Sequence, residues 1–404
     1  MMSYRTLSAL EAAGRRVFVR VDFNVPLTPE GAVADDTRIV ASLPTLRYLI
    51  EKKARLVVAS HLGRPKGKRD PKQSLAPVRD ALARYLKTDV AFAAELVGPE
   101  TEAKSRALRD GQVLLLENLR YDAREEANDP EFARGLAALA DAYVNDAFGS
   151  AHRAHASTAG ITATLTDTAA GFLMERELAA LGKLLASPAR PYVALLGGAK
   201  ISGKIDVLTN LLPRVDRLVV GGGMMFTFLR ASGVAVGRSL VEEDRVPLAA
   251  EILAAPENAS KILLARDVRV AASPDGSDPG RIVAADAIPD DVMGVDIGPE
   301  AVGAIARALS DAKTVFWNGP MGIFEKEPYA AGTLGVAAEI ARATKRGAFT
   351  VVGGGDSLAA VHRAGVEAEI SHCSTGGGAS LEFLEGRTLP GVAALEAASA
   401  PARG

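Results

Sequence analysis

The chain has 404 residues, more than the roughly 250–300 at which a single hydrophobic core stops growing, so two domains are expected. Apolar residues make up 48% and charged residues 24%, a soluble globular balance rather than a disordered or fibrous one. With 47 basic and 49 acidic residues the net charge is −2, which gives no global field for nucleic acid or an anionic membrane, so any anion site must be a local cluster.

The stretch Met1 to Arg20 carries Arg5, Glu11, Arg15 and Arg16 and does not read as a secretory signal. A strand over Val17–Val21 is followed by Asp22 and Asn24, and a helix is expected over Arg38–Lys52. Strand Leu56–Ala59 leads to His61 and Arg64, and helix Leu75–Leu86 follows. Strand Val113–Leu116 leads to Asn118 and Arg120, and strand Ala142–Val144 to Asp146 and Arg153. Phe172–Ala186 reads as one helix, with Leu173, Glu177, Leu181 and Leu184 on adjacent turns and Pro188 and Pro191 ending it. Strands then recur at Val193–Leu196, Leu218–Val220, Ile262–Leu264, Thr314–Trp317 and Phe349–Val352, with a helix over Ala330–Arg342. These strands are short Val-, Leu- and Ile-rich runs without alternation, as expected of strands buried on both faces.

Strand–helix alternation predicts an α/β protein with two doubly wound parallel-sheet, Rossmann-like domains. The expected division is a first domain over 1–170, a hinge helix over 171–187 and a second domain over 188–387, with 388–404 completing the first. The tip Ala400–Gly404 is expected to fray. No apolar run is long enough to span a bilayer. One cysteine, Cys373, precludes an internal disulfide and is consistent with a reducing compartment. It lies in an apolar run and is expected to be packed.

In open α/β sheets ligands bind at the carboxyl ends of the strands, and there the two halves differ. The first half offers Arg38, Arg64, Arg120 and Arg153 with His61. Singly, each reads as a solvated surface arginine. Four at one strand-end level imply a small, multiply anionic ligand, because guanidinium groups bind phosphate and carboxylate bidentately. Asp22 and Asn24 suit a turn before Pro26, and could also orient a hydroxyl that arginines cannot accept from. The second half offers glycines after its strands: Gly197–Gly198, Gly221–Gly223, Gly319, Gly353–Gly355 and Gly376–Gly378. Amide groups at a helix start bind phosphate, and Asp356 stands either as a helix cap or as an oxygen ligand for nucleotide-bound Mg²⁺.

Two familiar motifs fail. Gly198–Ile205 fits the start of a phosphate loop, but Ile205 occupies the Ser/Thr position needed for Mg²⁺. The dinucleotide fingerprint ends on Leu358 or Phe226 where glycine is required. His362 and His372 lack metal-ligand spacing, and His152 and His155, flanking Arg153, lack the thiol or carboxylate partners of a zinc site.

The ordered segments Arg20-Val-Asp-Phe-Asn-Val-Pro26, Ser60-His-Leu-Gly-Arg-Pro65, Glu117-Asn-Leu-Arg120, Asp146-Ala-Phe-Gly149, Ala151–Ser157, Gly197-Gly-Ala-Lys200, Gly221-Gly-Gly-Met224, Asp296-Ile-Gly-Pro299, Trp317–Gly322, Gly353-Gly-Gly-Asp-Ser357 and Ser374–Ser380 span nearly the whole chain. Together they resemble the phosphoglycerate kinase family. The resemblance implies reversible phosphoryl transfer between 1,3-bisphosphoglycerate and Mg-ADP by a cytoplasmic, monomeric hinge-bending enzyme. It assigns Asp22, Phe23, Asn24, Arg38, His61, Leu62, Gly63, Arg64, Arg120 and Arg153 to 3-phosphoglycerate. It assigns Lys200, Lys204, Gly294, Asn318, Glu325, Gly354, Gly355, Asp356 and Ser357 to ADP or ATP, with Asp356 toward Mg²⁺. Arg38, Lys204, Gly355 and Gly377 become the catalytic set. Gly203, Asp206 and the pair Met225-Phe226 depart from the family pattern. Rival expectations are a phosphate-loop NTPase and a non-catalytic metabolite binder.

Overall fold

The computed structural model describes residues 4–258 and 260–399; the expected frayed tip lies outside them. The chain divides into two compact units, one comprising the residues up to Ala179 and from Thr388, the other Ala180–Arg387.

In the first unit the strands β1 (Arg16–Arg20), β2 (Arg55–Ala59), β3 (Val90–Ala93), β4 (Val113–Leu116), β5 (Ala142–Asn145) and β6 (Thr168–Ala170) form a sheet ordered β3-β4-β2-β1-β5-β6. Every pairing is parallel, with Arg16 opposite Arg55 and Val17 opposite Ala142. Helices α1 (Thr37–Glu51), α2 (Ala76–Leu86), α3 (Pro99–Ala107), α4 (Ala123–Glu126) and α5 (Pro130–Ala137) lie between the strands. Val17, Val19, Leu56, Val58, Val113 and Val144 on one sheet face join Ile39, Leu43 and Leu46 of α1 in one buried cluster. Each such side chain contributes about 1.5–3 kcal/mol by leaving water. The order reverses about β1, so its carboxyl end lies at a switch point where side chains from both flanking strands converge.

The second unit repeats the plan with β7 (Tyr192–Leu196), β8 (Arg217–Val220) and β9 (Ile262–Leu263). Strands β10 (Asp267–Ala271), β11 (Arg281–Ala284) and β12 (Met293–Ile297) come next, then β13 (Thr314–Asn318), β14 (Phe349–Gly353) and β15 (His372–Ser374). The parallel sheet runs β15-β14-β13-β7-β8-β9. A second, antiparallel sheet, β11-β10-β12, is added to the expected parallel one. Its strands escaped notice because Asp267 and Arg269 interrupt β10, Asp296 interrupts β12, and β11 is short and largely exposed. Cys373 is half-buried rather than packed, since β15 is a three-residue edge strand.

Helix α6 (Phe172–Ala186) contains the Ala179–Ala180 boundary. At its start the Phe172 amide donates to Thr45 Oγ at 2.9 Å, and near its end the Lys183 ammonium lies 4.1 Å above the Phe349 ring. The remaining helices are α7 (Ile205–Leu211), α8 (Met224–Ala231), α9 (Val246–Ala254), α10 (Pro299–Leu309), α11 (Ala331–Lys345), α12 (Gly355–Arg363), α13 (Gly378–Leu384) and α14 (Pro390–Ser399), the last returning to the first unit.

Candidate active site

In the first unit, a side-chain hydroxyl and two side-chain amides stitch the loops at the carboxyl end of the sheet. Ser60 Oγ accepts from the Phe23 amide at 2.8 Å, and Asn24 Oδ1 accepts from the Gly63 amide at 2.8 Å. Asn118, fully buried, accepts from the amides of Leu62 and Arg120, both at 3.1 Å, and donates to the carbonyls of Leu62 and Gln73. Gly63 has φ +63°, and the Gln73 side chain occupies the space a Cβ would need, so glycine is required there twice over.

On this frame Arg38, the second residue of α1, sits 2.6 Å from Asp22. Burial opposes ionisation of Asp22. The positive charge of His61 when protonated, of Arg38 and of Arg20 outweighs it and draws the carboxyl down to about 2. Arg120 is buried, donates to the Gly63 carbonyl at 2.9 Å and lies 3.3 Å from Glu126. Arg120 also feels the charges of Arg20 and Arg153, so the arginines form one electropositive cluster. His61 is buried at 5% exposure, which holds it well below its ordinary value and therefore neutral. Arg64 and Arg153 are exposed, Arg153 Nε lying 3.2 Å from His152 Nε2. The surface-arginine reading thus fails for Arg38 and Arg120, whose guanidinium groups engage specific oxygens.

In the second unit three strand ends converge. Lys204, the residue before α7, donates from Nζ to the Asn318 side-chain oxygen and, at 3.2 Å, to its carbonyl. Asn318 in turn donates to the Gly353 carbonyl at 2.8 Å, and the Gly319 amide donates to Ser357 Oγ at 2.6 Å. Burial lowers the Lys204 ammonium to about 8, with the attraction of Asp356 opposing that shift. Gly354 (φ +91°) precedes α12, and Gly377 (φ +55°) precedes α13; both conformations disfavour residues with a Cβ. Gly355 has open space where a Cβ would stand.

Asp356 is exposed in the first turn of α12 and makes no hydrogen bond or ion pair among the described residues. A partnerless carboxylate beside a lysine fits a hard cation such as Mg²⁺ carried by nucleotide phosphates. Gly294, in β12, packs under the Phe226 ring, which a Cβ would strike, so one of the departing residues lies directly on a nucleotide candidate. Asp206, another of the departures, pairs with Arg387 at 2.8 Å. Lys200 and Glu325 are exposed and are not drawn into the Lys204–Asn318 arrangement.

The sequence reading did not single out Arg20, Glu125 or Ser157, all fully buried under the arginine cluster. An arginine inside the otherwise apolar run Val17–Val21 was the available signal.

The phosphoglycerate kinase family model matches residues 7–387. Phosphoglycerate kinases of Prosthecochloris aestuarii and Synechococcus elongatus are 52% and 54% identical over 396 and 404 residues, covering 98% of this chain and all of each relative. The phosphoglycerate kinase structure from Coxiella burnetii aligns over 97% of this chain and 98% of its own, at TM-score 0.88 and 40% identity. That from Pyrococcus horikoshii aligns over 98% and 99%, at TM-score 0.84 and 33% identity. With one family model, full-length relatives and matching folds in agreement, the chain belongs to the phosphoglycerate kinase family.

Proposed function

We propose that the first unit holds 3-phosphoglycerate or 1,3-bisphosphoglycerate and the second holds ADP or ATP, and that the family's transfer to a carboxyl acceptor runs between them. The observation that supports this division most is the contrast of chemistries. One sheet ends in guanidinium groups, the other in glycine loops around Lys204 and Asn318.

The acceptor is a carboxylate, already ionised at neutral pH, so no general base is required. The remaining task is positioning and charge stabilisation. Arg64, Arg120 and Arg153 with His61 take the non-reacting phosphate, and Asp22 and Asn24 the hydroxyl and carboxyl end. Backbone groups of Phe23, Leu62 and Gly63 close around the same ligand. Arg38 and Lys204 approach the transferring phosphoryl group, assisted by amides of Gly354, Gly355, Gly376 and Gly377. Lys200, Gly294, Asn318, Glu325 and Ser357 contact the nucleotide. Asp356 would hold Mg²⁺, whose charge would offset that of the nucleotide phosphates. The enzyme acts as a cytoplasmic monomer with a hinge at α6; its single cysteine supports a reducing compartment.

Calorimetry tests the division. Arg64→Ala is expected to weaken 3-phosphoglycerate at least about tenfold, the scale of one charge-assisted hydrogen bond, with nucleotide affinity unchanged. Asp356→Ala is expected to do the reverse and to raise the Mg²⁺ requirement in a coupled assay. Chief damage to nucleotide binding from Arg64→Ala would overturn the assignment.

A further inference from the structure

Beneath the arginine cluster lies a buried polar chain to which the substrate reading gives no task. Arg20 closes β1 with no exposure at all. Its Nε donates to Ser157 Oγ at 2.8 Å, one terminal nitrogen donates to the Val21 carbonyl, and the other lies 3.2 Å from His61 Nδ1. Ser157 donates its hydroxyl to Glu125 Oε1 at 2.6 Å and its amide to Oε2 at 3.0 Å. Glu125 is itself fully buried, so cation and carboxylate compensate each other around one serine. The chain joins β1, the loop after β2, α4 and the loop after β5.

A guanidinium has donors only and stays protonated. His61 Nδ1 must therefore offer its lone pair to Arg20, and the ring proton resides on Nε2. Protonating Nδ1 would set N–H against N–H. The charged groups facing this ring are Asp22 and Arg20 from the β1 end, Arg38 from α1 and Arg120 from the loop after β4. Burial is the largest influence on His61; Asp22 favours the imidazolium and the three arginines disfavour it. Nε2 makes no hydrogen bond among the described residues.

We propose that Arg20, held by Ser157 and Glu125, is a positioning residue that fixes His61 as a neutral Nε2–H donor to an anionic oxygen of the substrate. This rests on the reading that the cluster binds 3-phosphoglycerate. A neutral donor adds a directed hydrogen bond to a site already rich in cations without adding repulsion to its arginines. It also keeps that bond constant across the neutral pH range, which an ordinary histidine cannot do.

The test is long-range ¹H–¹⁵N spectroscopy of the full chain labelled at its five histidines, with His61 assigned by the signal lost in His61→Gln. The expected wild-type spectrum shows His61 protonated on Nε2 and unchanged from pH 5.5 to 8. A proton on Nδ1, or titration near the ordinary histidine value, overturns the proposal. Arg20→Met should release His61 to titrate and raise KM for 3-phosphoglycerate about tenfold, with KM for ATP unchanged. Arg20→Lys, which keeps a donor, should recover part of that loss. Equal losses for both substrates would show a merely structural role and also overturn the proposal. If Arg20→Met does not fold, the wild-type spectrum decides alone. If 3-phosphoglycerate moves no resonance of the cluster, the substrate reading fails while the tautomer assignment stands.

Discussion

At the scale of single residues, Lys204 carries the clearest pH consequence. Burial lowers its ammonium from 10.5 to about 8, so a measurable neutral fraction exists in mildly alkaline solution. Only the ammonium can hold a phosphoryl oxygen, so kcat/KM for ATP is expected to fall as pH rises through about 8. Lys204→Arg, whose guanidinium stays charged, should flatten that alkaline limb even if kcat drops. A pH profile with the limb intact in Lys204→Arg would assign it to another group. The glycine motif before Lys204 made this residue legible in the sequence. Its environment was not, because Asn318, which supplies both oxygens, lies far along the chain. Arg38 shows the same limit. Asp35 and Asp36 are its nearest acids in sequence, yet Asp22 meets it across the sheet end. Asp22, read as free to orient a hydroxyl, spends part of its accepting capacity on that arginine.

At the scale of elements, α6 depends on a cap that is remote in sequence. Asp146, after β5, accepts from the Leu173 amide at 2.9 Å, and a Cβ on Gly171 would strike its carboxylate. Burial raises this carboxyl to about 7, against the lowering effect of Thr45 and the helix amides. Between about pH 4 and 7 the folded protein therefore holds a proton that the unfolded chain has released. This group's contribution to stability accordingly falls as pH rises through that window. Asp146→Asn removes the dependence, so the Tm of the variant should improve relative to wild type between pH 5 and 8. A Tm difference that stays constant in calorimetry would refute the assignment. The helix itself, Phe172–Ala186, was readable to the residue because Gly171 and Pro188 fence its apolar spacing. Strands β3 and β6 were not picked out, since Val90–Ala93 and Thr168–Ala170 are short and rich in alanine. The antiparallel sheet was missed for a related reason. Asp267 and Arg269 break the apolar run in β10 and Asp296 breaks it in β12, while the exposed β11 does not need one.

At the scale of the whole molecule, direct transfer requires reacting atoms about 3–3.5 Å apart, while the proposed ligands sit on separate sheets. Closure about α6 and the second crossing at Arg387–Thr388 would satisfy that need and exclude water. Small-angle scattering should then show its greatest compaction with both ligands bound. An unchanged radius of gyration across apo, binary and ternary samples of active enzyme would end the closure model. The crossing at Arg387–Thr388 has a further consequence for how the chain is made. Helix α14 belongs to the first unit: Leu395 is fully buried, the Gly391 amide donates to the Ala151 carbonyl at 2.9 Å, and the Arg5 amide donates to Ser399 Oγ at 3.1 Å. Ala151 lies two residues before Arg153. On a ribosome adding about 5–20 residues per second, all of Ala180–Arg387 must be translated before α14 exists. The arginine-bearing unit is therefore synthesised first but stays unfinished for on the order of ten seconds or more. Through that interval the nascent chain carries an uncovered apolar seat for α14, a surface that chaperones would meet before any substrate does.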